Sequence, residues 1–132
     1  MRLCIQASLH LKTIHSVTLK KDVKNMQVFY QLIYEYQKEL RDLCLHTCSD
    51  EFEEKIKKSL QTQKISYIIY PLENNKINVF FGMPTCIEII KQFSYKELNR
   101  LSVEEDFILG IMLGYGKAQQ YERFLTRKAI CA

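Results

Sequence analysis

The sequence predicts an α+β domain, a small three-stranded mixed sheet with about five helices packed on it. Three observations carry that expectation. Two β-rich runs, "ISYIIYPL" and "KINVFFG", are joined by the turn residues "ENN". Apolar residues at 29, 32, 33, 36, 40 and 43 fall at helical spacing. Ser or Asp followed three residues later by Glu recurs ahead of apolar runs, the sign of a helix start.

In chain order, the first spacing predicts a helix over about 28–40, although Tyr30, Tyr34 and Tyr36 are also good strand formers. "DLCLHT" reads as the first strand, with Cys44, His46 and Cys48 alternating onto one face. Asp50 with Glu53 opens the helix "DEFEEKIKKSLQTQ", whose stripe is Phe52, Ile56 and Leu60. Asn74 and Asn75 tolerate positive φ, so the next two strands form a hairpin. Gly82 ends the strand and Pro84 occupies the first turn of a helix reaching about Phe93. Ser94 with Glu97 opens a short helical turn, and Ser102 with Glu105 opens a long final helix. Its apolar side runs from Phe107 and Ile108 to Phe124 and Leu125, with Gly110 and Gly114 inviting close backbone approach. A strand–helix–strand crossover predicts a parallel pair, and the hairpin adds an antiparallel neighbour. A sheet this short has two edges, and an edge or the aromatic-rich final helix is well served by a second copy. A homodimer is the expectation.

Composition narrows the function. At 132 residues, 47% hydrophobic and 26% charged, the chain is one ordinary globular domain. No apolar run approaches the roughly 18 residues of a membrane span. Five cysteines without framework spacing favour thiols in a reducing cytoplasm. The net charge of +4 sits wholly on residues 1–25, since residues 26–132 hold 14 basic and 14 acidic side chains. That distribution argues against a nucleic-acid groove. Residues 1–25 read as an N-terminal extension, with Met26 as the natural start, or else as an arm that packs on the domain or a dimer mate, and 26–132 read as the domain.

Several residues carry candidate chemistry. Alternate strand residues sit about 7 Å apart, too far for Cys44, His46 and Cys48 to close on one metal. They read as core, so no metal and no cofactor is expected. His46 either lies satisfied in the core or lines a cleft at the end of the sheet, where it would titrate near neutral pH. Cys86 falls in the first turn of a helix, where the dipole favours a thiolate, or else faces the core beside Ile87 and Ile90. Glu104, Glu105 and Asp106 suit a helix N-terminus by charge alone, while Arg123, Arg127 and Lys128 are helix-end cations or a rim for an acidic partner. No phosphate loop, nucleophile elbow, metalloprotease signature or dinucleotide fingerprint occurs.

The blocks "IYEYQKELRDLCLHT", "KINVFFG", "CIEIIKQF", "LNRLSVEEDFILGIMLGY" and "QQYERFL" resemble, in order and spacing, the domain-of-unknown-function family twenty twenty-three. The resemblance covers roughly Gln27 to Leu125. It implies three strands, about five helices and a homodimer, encoded in bacteria beside flavodoxin. His46, Thr47, Asn78, Gly82, Cys86 and Glu88 match the family pattern and are the candidate binding residues. Cys44 and Cys48 depart from it, where aliphatic residues are usual. The first functional reading is a non-enzymatic homodimer with an interaction or regulatory role, toward a flavodoxin-like acidic protein and neither nucleic acid nor membrane. The second is a small thiol-dependent or ligand-binding protein using Cys86 and His46.

Overall fold

A computed structural model describes residues 23–131. The chain divides into two compact units, Met1–Tyr34 and Glu35–Ala132. In the first, residues 23–34 are helical, and the helix, α1, continues to residue 37. Met26, Phe29 and Ile33 are its buried residues; of the predicted apolar set Phe29 and Ile33 are buried, Leu32 and Tyr36 are half-buried, and Leu40 lies exposed beyond the helix. The expected boundary at 25/26 falls inside this helix, and the extension up to residue 22 lies outside the described residues.

The second unit is an α+β layer. After α1 come β1 (Leu43–Ser49), a 3-10 turn (Asp50–Phe52), α2 (Glu53–Thr62), β2 (Ser66–Pro71) and β3 (Lys76–Gly82). Then follow α3 (Pro84–Lys91), a 3-10 turn (Leu98–Arg100), α4 (Val103–Met112) and α5 (Lys117–Cys131). The strand order is β1-β3-β2 and both pairings are antiparallel. The mixed sheet expected from the crossover is therefore not formed. β1 and β2 do run in the same direction, but the hairpin folds β3 back between them and takes both sets of ladder bonds.

Asn74 and Asn75 take φ of 61° and 57° in the hairpin, as their position requires. Six of the seven residues of central β3 are buried. On one face Leu43, Tyr70 and Phe80 join Ile87 and Ile90 of α3 and Leu109 of α4 in a single cluster. The opposite face carries Cys44, His46 and Cys48 opposite Phe81, Val79 and Ile77. α2 packs against β2 with Ile56 and Leu60 fully buried.

Two expected caps are replaced by other contacts. Asp50 makes no side-chain cap, and a 3-10 turn precedes α2. Ser94 does not pair with Glu97; its N–H and hydroxyl donate to Glu105 Oε2 at 2.9 and 3.3 Å. The Ser102–Glu105 capping box forms fully, with both bonds at 3.0 Å. The expected long final helix is a helical hairpin instead. Gly114, at φ +80°, ends α4 and leaves open space around it. Arg41 bridges Glu35 and the carbonyl of Leu113, 3.2 Å from each, which satisfies the C-terminus of α4. Gly110 is the position where close approach is real, since a Cβ there would fall on the Gln120 carboxamide of α5.

Candidate functional site

The pleat of the sheet decides which candidate residues can meet. In β1 the side chains of Cys44, His46 and Cys48 point to one face, and those of Leu43, Leu45 and Thr47 to the other. Asn78 stands opposite Thr47, and the Thr47 hydroxyl donates to Asn78 Oδ1 at 2.6 Å. Cys86 belongs to the cluster on the Thr47 face. The sheet therefore lies between His46 and Cys86, and no single cleft brings them together. Glu88 lies exposed on the outer side of α3, ion-paired with Lys91 at 3.2 Å.

Gly82 has a backbone role. Its φ is +147°, and a Cβ there would fall on the Asp42 carbonyl oxygen, which accepts the Met83 N–H at 2.9 Å. It fixes the departure of the chain from β3 into α3. Pro84 then starts α3 as predicted, and Cys86 enters the first turn with its side chain facing the core.

Burial outweighs the helix dipole at that thiol. Desolvation, with a smaller contribution from the Asp42 carboxylate, pushes the Cys86 pKa up. Cys44 and Cys48 are pushed up to about 11 by burial. Iodoacetamide at pH 7 is thus expected to modify Cys44, Cys48 and Cys86 only in denaturant, read by peptide mass mapping. Rapid modification of native Cys86 would contradict the core assignment.

His46 is buried, and desolvation lowers its pKa below the ordinary 6.5. The unfolded chain binds the extra proton first, so stability falls as pH drops below about 6.5 and levels off below the folded pKa. The slope attributable to His46 reaches at most about 1.4 kcal/mol per pH unit. Denaturant titrations between pH 5 and 7 are expected to show this slope, and His46→Asn to remove it (pH range set by the ordinary His value). A native imidazole titrating at or above 6.5 by NMR would contradict the assignment.

The face carrying Thr47 and Asn78 also holds two cavities among the described residues. One cavity, of about 720 Å³, is lined by Thr47, Asn78, Glu73, Glu97, Leu98 and Asn99, among others. A second, of about 520 Å³, shares Leu98 and Asn99 and continues over Leu45 to Gln120, Asp106 and Arg123. Arg123 clamps Asp106 through two bonds of 2.8 and 3.2 Å, and Arg127 adds a contact at 3.1 Å. Partial burial works against ionisation of Asp106, but the two guanidinium groups hold its pKa below the usual carboxylate range. Lys128 pairs with Glu104. The three cations predicted as helix-end charges or an acidic-partner rim are thus engaged within the helical hairpin.

The sequence identified Thr47 and Asn78 but not the groove they open into. Asn99 and Gln120 were absent from the candidates, because neither belongs to a catalytic pattern. The available signal was "LGYG", in which Gly114, at positive φ, ends α4 ahead of α5, whose Gln120 lies against Gly110. Among the described residues no three His, Cys, Asp or Glu side chains converge as a metal site, and no helix is long and apolar enough to cross a membrane.

No curated protein matches the chain. A family described as "Protein of unknown function (DUF2023)" matches residues 27–127, from within α1 through β1–β3 and the cavity residues into α5. The protein belongs to this DUF2023 family, the family twenty twenty-three that its sequence blocks resemble.

Proposed function

We propose that the protein is a non-enzymatic interaction module that works as a homodimer, with the outer face of the α4–α5 hairpin as the contact. The observation that carries this reading is the composition of α4. Its sequence, "VEEDFILGIM", is apolar on nearly every side beyond the first turn, yet only Val103, Leu109 and Gly110 are buried. Phe107 and Ile111 are half-buried and Ile108 is 39% exposed. Phe107 meets Tyr121 of α5 at a tilt and Phe124 edge-on, with ring centroids 6.1 and 5.2 Å apart, and Tyr121 and Leu125 beside them are exposed.

A helix apolar all round belongs in an interior. Two copies meeting about a two-fold axis supply one, because each offers the same self-complementary patch. The flavodoxin-like acidic partner implied by the family resemblance is the weaker reading. Such a partner would compete with the ion pairs that already engage Arg123, Arg127 and Lys128. If the folded state is a dimer, its melting temperature rises with protein concentration. A midpoint constant over two decades of concentration would contradict the proposal.

A further inference from the structure

The groove over Leu45, Leu98 and Asn99 has three properties that together specify an occupant. Its floor is apolar, made by Leu45, Leu98, Leu101, Leu109 and Leu113. Two carboxamides line its two ends. Gln120 is more than nine-tenths buried (8% exposed), lies over Gly110, and its side-chain amide bonds to no described group. Asn78 is buried to 3% exposure; its Oδ1 accepts from Thr47, and no described group takes its N–H donors. No atom of either amide is both buried and without a partner, so each keeps hydrogen-bonding capacity open to the groove.

The third property is charge. At the Asn78 end, Glu73 and Glu97 are exposed and neither carboxylate is ion-paired among the described residues. At the Gln120 end, the Arg123 charge is neutralised by Asp106. The groove therefore runs from a neutral, amide-lined end to an acidic one. It also follows β1, an outer strand, whose Leu45 and Thr47 stand on the groove face at the alternating spacing of an extended chain.

We infer that this groove takes an extended peptide segment of a partner protein, with an apolar side chain over the leucine floor and a Lys or Arg side chain further along at Glu73 and Glu97. A peptide backbone offers a donor and an acceptor at every residue, the pair that a carboxamide recognises. The apolar side chain accounts for the floor, and the basic one for the unpaired carboxylates. The groove is a surface separate from the α4–α5 outer face, so the inference does not depend on the dimer.

The test uses the full chain and a phage-displayed library of random decapeptides, followed by the leading peptide as a blocked synthetic probe. Enriched sequences are expected to share an apolar residue with Lys or Arg a few positions away. The probe should shift the side-chain amide NMR signals of Asn78 and Gln120 and bind at least tenfold more weakly to Gln120→Leu. The paired variant Glu73→Lys with Glu97→Lys, at exposed positions that leave the core intact, should lose the preference for a basic residue. Ile108→Glu with Leu125→Glu should leave probe binding unchanged. No shared motif, equal binding by the groove variants, or signal shifts confined to the α4–α5 outer face would each overturn the inference. Binding of free amino-acid amides without any peptide binding would overturn it too.

Discussion

Gly82→Ala is expected to destabilise the protein by about 2–3 kcal/mol, read as a lower denaturant midpoint at unchanged slope. Two costs combine at this position. The backbone holds φ at +147°, a conformation L-residues rarely adopt. The new methyl group would also fall on the Asp42 carbonyl oxygen and lie 3.0 Å from Leu43 Cα. Both obstacles are backbone, so neither can swing aside as a side chain would. Relief would require β1 and β3 to separate at Leu43 and Gly82, which face each other in the ladder. Gly110→Ala provides the contrast. There the obstacle is the far end of the Gln120 side chain, which can rotate, and Ala favours the helix by about 1 kcal/mol. A Gly82→Ala effect no larger than that of Gly110→Ala would show that the backbone contact is not what requires glycine.

The three strands, α1 and the helix after Pro84 were legible in the sequence because each is specified locally. Alternation in "KINVFFG", the paired asparagines of the turn and the proline at a helix start act through adjacent residues. The sheet's pairing was not legible. The order β1-β3-β2 depends on which strand the hairpin inserts between, a choice made by packing on two faces and not by any strand's own residues. The end of α4 was misread for a related reason. Gly114 inside an apolar pattern signals either a packed helix face or a stop, and the positive φ at Gly114 selects the stop. The candidate residues divide the same way. Alternation correctly placed Cys44, His46 and Cys48 on one face, but the layer that receives Cys86 comes from α3 folding onto the other. Thr47 and Asn78 proved to be paired, which their cross-strand register alone arranges.

The second large effect concerns assembly. Ile108→Glu together with Leu125→Glu places two carboxylates on a face that the account assigns to a subunit contact. Both side chains are exposed in the single chain, at 39% and 67%, so the fold of each protomer loses little. In an assembled dimer the same carboxylates would be buried without partners, at a cost of several kcal/mol for each. Exposed apolar residues that cost little to replace in the protomer and much in the assembly are the signature of an interface. A substitution on the opposite side of α5, such as Ile130→Glu at 79% exposure, serves as the control and should leave assembly unchanged.

Sedimentation equilibrium of the full chain and of the Ile108→Glu, Leu125→Glu variant decides whether the outer face of the helical hairpin joins two copies. The wild-type chain is expected to sediment at twice its 15.7 kDa mass, and the variant at that single mass with its far-UV circular dichroism preserved. A wild-type chain that remains at 15.7 kDa up to the highest attainable concentration, or a double variant that stays dimeric, would contradict the account.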